Sequence, residues 1–181
     1  MSVKQAKERN FPMNTVAIIM GSKSDLETVR AAFDVLDDFG VPFTARILSA
    51  HRTPAEAAQF AAEARGKGIK VIICAAGMAA HLGGVVAAHT TLPVIGVPMI
   101  SEPFKATDSL LSTVQMPPGI PVAAVSAGKA GAKNAALFAV SILAASDEAL
   151  AEKLQDFRRK QKEQVLAADA DLQQELKERR A

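Results

Sequence analysis

The sequence predicts an α/β domain built on a parallel sheet. Five short apolar runs, at 16–20, 43–48, 70–75, 93–97 and 121–125, alternate with segments of helical spacing. Three of the runs are apolar throughout, as expected of strands buried on both faces. Small, polar and titratable residues come after most of the runs, at the sheet edge where parallel folds bind their ligands.

The run 16–20 reads as the first strand. Residues 24–39 then place Leu26, Val29, Ala32, Phe33 and Leu36 on one helical side, and Gly40 closes that helix. The run 43–48 is the second strand. Pro54 suits the first turn of a helix over 54–65, with Thr53 placed to cap it. The third strand, 70–75, leads to a short Ala/Val helix over 79–89. The runs 93–97 and 121–125 complete the strands, and an Ala-rich helix comes next over 131–145. From about residue 147 charges alternate, while Leu150, Leu154, Phe157 and Val165 keep one apolar stripe. That pattern predicts a helix packed by its stripe and frayed over its last residues. The expected organisation is a flexible extension over 1–14, one α/β domain over 15–165, and a charged tail over 166–181, partly helical or frayed.

Composition narrows the function. The 181 residues are 49% hydrophobic and 22% charged, the balance of a folded globular chain. Lys and Arg number 21 against 19 Asp and Glu, a net charge of +2. No basic surplus exists to neutralise many phosphates, so no nucleic-acid partner is expected. The absence of Trp and Tyr removes most stacking platforms as well. Cys74 is the single cysteine, which excludes an intrachain disulfide and argues against a cysteine zinc site. With only His51, His81 and His89, no metal site is expected. No apolar run reaches the roughly 18–20 residues of a membrane span. The start carries Lys4, Lys7, Glu8 and Arg9 rather than an apolar signal, so a cytoplasmic location is expected. The 35 alanines let backbones approach closely and favour extensive contact, hence an oligomer.

The strand-end loops carry the candidate site. Gly21-Ser22-Lys23-Ser24-Asp25 joins a strand to a helix start. Its hydroxyls and free N–H groups suit a phosphate cradle, and equally a plain helix cap. It is neither a Walker loop nor a dinucleotide fingerprint. Asp25 suits the helix dipole or a sugar diol. Ser49-Ala50-His51-Arg52 places an imidazole beside a guanidinium, a pair suited to a cleft. Arg52 offers a fork of donors to a phosphate or carboxylate, and His51 exchanges protons near neutral pH. His81 comes after a run that holds the small residues Gly77, Ala79 and Ala80, where a ligand could approach backbone amides; a packing role at the helix start is the competing reading. His89 reads as structural or exposed, and Cys74 as an inert core thiol. Lys129 and Lys133 either attract an anion or sit on a solvated helix start.

Together these motifs resemble one family. Residues 20–25, 49–54 and 79–82, with Leu92–Pro98, Asp108–Ser112, Val114–Pro117 and 128–135, are similar to N5-carboxyaminoimidazole ribonucleotide mutases, the catalytic type of phosphoribosylaminoimidazole carboxylase. The resemblance covers about 15–165. It implies a three-layer, flavodoxin-like α/β/α sandwich assembled as an octamer. It also implies an isomerase of purine biosynthesis that moves a carboxylate from the exocyclic nitrogen of a ribonucleotide to its ring carbon. No metal, biotin, ATP or other cofactor takes part in that step. The family's catalytic histidine falls on His51, and its binding positions on Ser22, Asp25 and Arg52, with His81 in the same pocket. Ser24, Ser49, Gly77, Ala80 and Leu82 complete the expected substrate-binding set.

Two departures stand out. The family reads Gly-Gly-Ala-Ala-His-Leu-Pro-Gly where this chain has Met78 and Gly83, and residues 100–107 differ from its usual loop. A related branch carboxylates aminoimidazole ribonucleotide directly with free CO2 and reads Ser-Ala-His-Lys, so Arg52 favours the mutase. The alternatives are that carboxylase and a flavodoxin-like module that binds a nucleotide without turning it over.

Overall fold

The computed structural model describes residues 15–179, so the extension expected over 1–14 lies outside the described residues. The strands are β1 (Val16–Met20), β2 (Phe43–Ile47), β3 (Val71–Ala76), β4 (Val94–Pro98) and β5 (Ala123–Ala124). The helices are α1 (Leu26–Phe39), α2 (Pro54–Ala64), α3 (Leu82–Ala88), α4 (Thr107–Val114), α5 (Gly128–Ala144) and α6 (Glu148–Glu178).

All strand pairs are parallel, in the order β2-β1-β3-β4-β5. This is the flavodoxin-type order. Val16 aligns with Phe43 on one side and Val71 on the other. The chain leaves β1 toward one edge and returns past it, so the helices diverge at the carboxyl ends of β1 and β3. A crevice opens at that switch point.

The strand sequences match their places. β1 and β4 are buried throughout, and β3 up to its last residue. β2 lies at the edge and is exposed from Ala45 to Ile47, which suits its Thr44 and Arg46. Alternation along the strands separates two faces. Ala17, Ile19, Ile72, Cys74 and Val94 share a core with Phe60 and Ala61 of α2 and Leu82 and Val86 of α3. Gly96, on the same face as Val94, lies beside Thr113 of α4 and Val122. Val97 faces the other way and packs on Gly131 of α5. The right-handed crossover from β1 to β2 puts α1 on that second face too. The result is a three-layer α/β/α sandwich.

The expected helices are present with shifted starts. Residues 23–25 form a 3-10 turn before α1, the Ala/Val helix begins only at Leu82, and α5 begins at Gly128. The fifth strand is reduced to two residues. Helix α4 has no sequence counterpart, for a physical reason. Its buried residues are Ser109 and Thr113, while Leu110, Leu111 and Val114 are exposed. Ser109 Oγ donates to the Met99 carbonyl at 2.9 Å, and Thr113 Oγ1 to the Ser109 carbonyl at 2.7 Å. An inward polar face hides the apolar periodicity that announces a helix.

The chain groups into two compact units, the first ending at Ala139 and the second starting at Val140. In the second, Asp147 caps α6 by accepting the Leu150 N–H at 3.1 Å. Leu154 is buried, and Leu150 and Phe157 are half-buried. Val165 is 69% exposed, so the stripe is covered only along the first turns. Beyond them the helix is solvated and laced with pairs such as Arg159 with Asp156 and Glu163.

Candidate active site

The loop after β1 folds as a cap. Ser22 Oγ accepts from the Ser24 N–H at 3.3 Å and lies 2.9 Å from Ser24 Oγ. Asp25 Oδ2 accepts the Ser22 N–H at 3.1 Å. Capping therefore holds, and Ser22, Ser24 and Asp25 also line the cleft at the switch point. Burial pushes the Asp25 carboxyl above its ordinary value; the Ser22 N–H, the Arg52 charge and Ser24 pull the other way.

The loop after β2 is organised by Ser49. Its hydroxyl accepts the backbone N–H groups of His51 at 3.3 Å and Arg52 at 3.2 Å, and lies 3.5 Å from Arg52 Nε. Thr53 is the N-cap residue of α2, as its sequence position suggests, but its hydroxyl makes no capping bond. Its hydroxyl instead bonds back to Ser49, accepting the N–H at 2.8 Å and donating to the carbonyl at 3.2 Å. The bracket fixes the turn that presents His51 and Arg52. Arg52 Nη2 donates to the Gly21 carbonyl at 2.7 Å, tying the second loop to the first. A guanidinium has five N–H groups, so this tether leaves donors for a ligand.

The loop after β3 brings in His81. Its Nδ1 lies 2.8 Å from His51 Nε2, and the rings meet edge to face at 79°. A single proton occupies that ring-to-ring bond, so the tautomers of the two histidines are tied together. Met78, two residues before Ala80, takes a left-handed backbone at φ 55. Such a conformation costs a non-glycine residue about 1–2 kcal/mol.

The three loops and the one after β4 enclose a cleft of about 660 Å³, within the range of small-molecule sites. Ser22, Ser24, Asp25, Ser49, His51, Arg52, Gly77, His81 and Leu82 all line it. Ala80 does not: it is 3% exposed and turned into the core. The loop over 126–131, with Lys129, stays outside because β5 lies beyond β4, away from the switch point. Sequence reasoning missed Thr28, Met99, Ile100 and Ser101, which also line the cleft. The last three come directly after the fourth apolar run, so the strand-end rule applied there finds them. Ser101 Oγ is buried without a hydrogen-bond partner among the described residues. Cys74 lies inside β3, where burial pushes its thiol up to about 12 and keeps it inert. His89 is held on the Val85 carbonyl at 2.8 Å and does not line the cleft.

A parallel sheet with this order, and a cleft of hydroxyls, one guanidinium and a histidine pair at its switch point, define an α/β protein built to hold a small phosphorylated or carboxylated ligand. The model of the AIR carboxylase family matches residues 15–164, and the chain belongs to that family. It is 55% identical over 157 residues to the N5-carboxyaminoimidazole ribonucleotide mutase of Bacillus subtilis, covering 87% of this chain and 97% of the relative. It is 56% identical over 150 residues to the mutase of the same name from Brucella melitensis, covering 83% and 93%. Its fold matches the crystal structure of Treponema denticola PurE with a TM-score of 0.79 and 29% identity, over 87% of this chain and 97% of that one.

Proposed function

We propose that the protein is an N5-carboxyaminoimidazole ribonucleotide mutase, an isomerase of purine biosynthesis that yields 4-carboxyaminoimidazole ribonucleotide. The observation that carries this reading is the His51–His81 contact beside Arg52, within one cleft. A passive nucleotide binder has no use for two imidazoles joined by a hydrogen bond in its cleft. The identity to mutases over most of the chain supports the same substrate.

The assigned roles come from the donors present. Ser22, Ser24 and Arg52 bind the phosphate, with the Gly21 tether holding Arg52 in place. Asp25 accepts from the ribose hydroxyls. Ser49 positions His51 and Arg52 through their N–H groups. Gly77 and Leu82 shape the end of the cleft that receives the carboxylate. Ala80 acts through backbone placement, its side chain being buried.

His51 is the proton shuttle. The cycle starts with one extra proton on the histidine pair, so that His51 Nδ1 carries a hydrogen. That hydrogen passes to the exocyclic nitrogen of the carbamate. The C–N bond breaks, its electron pair stays on nitrogen, and CO2 is freed. His51 Nε2 keeps the hydrogen directed at His81 Nδ1, which leaves His51 Nδ1 bare. The ring carbon attacks CO2, and the hydrogen displaced from that carbon returns to Nδ1. One proton leaves the pair and one comes back, with no net change in the enzyme.

The catalytic domain is assigned to 15–165, with 166–181 as a charged appendage, and the working form to a cytoplasmic homo-octamer. Turnover of N5-carboxyaminoimidazole ribonucleotide, compared with aminoimidazole ribonucleotide plus bicarbonate, tests the reaction. The first substrate is converted without added bicarbonate. Efficient conversion of the second alone assigns the chain to direct carboxylation instead. His51→Asn should keep the fold and lose on the order of a hundredfold or more in turnover; near-native activity removes His51 from its role.

A further inference from the structure

Helix α6 runs to Glu178, past the family match that ends at 164. Its apolar line continues over those last turns. Leu154, Val165 and Leu176 are spaced by eleven residues, three turns each, so they share one face, and Leu172 lies one turn before Leu176 on it. Leu154 is buried, whereas Val165 is 69% exposed and Leu172 49%. Helices in proteins draw most of their stability from a packed apolar face. The last turns of α6 keep that face, and the described residues leave it open.

A receptor for such a face lies at the other end of the same helix. The end of α5 and the first turns of α6 form a groove of about 280 Å³, lined by Ala144, Ala145, Ala151 and Leu154, with Gln155 and Arg158 at its polar side. A continuous helix holds Leu172 roughly 27 Å from Leu154, so a chain cannot fill its own groove. The charges beside the apolar line show how a second copy can. Lys160 and Lys162 precede Val165, and Asp169 and Asp171 come after it. Lys162 and Asp169 are two turns apart on one flank of the line; Lys160 and Asp171 are three turns apart on the other. Reversing the helix about a two-fold axis between residues 165 and 166 sets Lys162 of each copy opposite Asp169 of the other, and Lys160 opposite Asp171. The same reversal brings Leu176 opposite Gln155 and Leu172 beside Arg158, at the groove. A parallel pair in register sets lysine against lysine and aspartate against aspartate.

We propose that α6 docks antiparallel on α6 of a second copy of this chain, with Leu172 and Leu176 entering the groove at the base of the other helix. Each copy offers the same face and the same groove, so the contact is isologous and closes as a pair. Burial of the apolar line holds the two helices together. Exposed ion pairs add little to affinity, and here they choose the direction and register. Arg159 is already held within its own helix by Asp156 and Glu163. Lys160 keeps Asp156 only at 3.5 Å and is free to turn toward the other copy. The pairing needs nothing from the cleft and stands apart from the reaction proposed there.

The test is disulfide trapping in the full chain. Cys74 is buried with its thiol pushed up to about 12, so it stays out of the exchange. Val165→Cys and Leu172→Cys are oxidised mildly at micromolar concentration and run on a non-reducing gel. A disulfide needs its two Cα atoms within about 7 Å. The two copies of position 165 lie beside the axis, whereas those of position 172 lie roughly 20 Å apart along it. Val165→Cys should therefore give linked pairs of chains, and Leu172→Cys should not. Adding Lys162→Glu to Val165→Cys should cut the linked fraction several-fold, because it sets acid against Asp169 twice over. Adding Asp169→Lys as well should restore it. No linking by Val165→Cys overturns the proposal. Equal linking by Leu172→Cys overturns it by showing a parallel pair or random collision. A linked fraction that Lys162→Glu leaves unchanged, or that Asp169→Lys does not restore, overturns the antiparallel register.

Discussion

At the scale of single residues, the cleft depends on side chains that each do two jobs. Arg52 bonds the Gly21 carbonyl and also faces the cleft, so its fork serves loop registry and, under the proposed function, recognition. Arg52→Lys keeps the charge and loses the fork. It should weaken substrate binding by roughly 1–3 kcal/mol, read as a raised KM with a smaller change in kcat; unchanged values of both would remove the role. Asp25 is a second case. Burial is the largest influence on its carboxyl and raises its pKa above the ordinary 3.8. The folded state therefore binds that proton more tightly than the unfolded chain. The resulting stability is present below 3.8 and is lost as pH rises through the raised value. Asp25→Asn keeps an oxygen for the Ser22 N–H and cannot ionise. Urea midpoints of the two proteins, measured across that acid range, should favour the unaltered chain at the low end and shift toward the variant as pH rises. A gap that stays constant with pH would show that burial does not govern this carboxyl.

At the scale of elements, most of the site is legible in the sequence because parallel sheets place function at strand ends. The loops after β1, β2 and β3 can be read from the apolar runs and the polar residues that end them, and the cleft gathers those loops. Two features are hidden by local chemistry. Helix α4 turns Ser109 and Thr113 inward, each paired to a backbone carbonyl, so its pattern is the inverse of an amphipathic helix. The pairing of His51 with His81 joins residues 30 positions apart and depends on how the two loops meet, which no spacing encodes. The start of α5 is displaced from its expected place for a related reason. Gly131 looks like a helix breaker, yet it lies within α5 because the Ser126 carbonyl occupies the space of its side chain. Gly131→Ala gains up to about 1 kcal/mol of helix propensity and must displace that backbone. Overpacking costs about 1–3 kcal/mol or more, so the clash wins. A net loss of stability is expected by chemical denaturation, and a gain would show that the Ser126 turn yields freely.

At the scale of the whole molecule, the surface of the first unit carries large apolar side chains that its own core does not use. Ile47, Phe104, Leu110, Leu111 and Val114 are between 41% and 63% exposed. Three of them lie on α4, the helix whose inner face is polar. A helix with hydroxyls inside and leucines outside makes sense if another surface covers the leucines, since contiguous exposed apolar surface marks an interaction site. A second copy of the chain is the covering surface that the proposed homo-octamer supplies. The measurement is light scattering at micromolar concentration, where the species should weigh eight times the 19.0 kDa of one chain. Leu111→Glu places a charge where the apolar contact is expected and should yield smaller species with an unchanged circular dichroism spectrum. Because Leu111 is 53% exposed, this change should leave the isolated fold intact. A single-chain mass for the unaltered protein would remove the assembly, and an unchanged mass for the variant would move the contact away from α4.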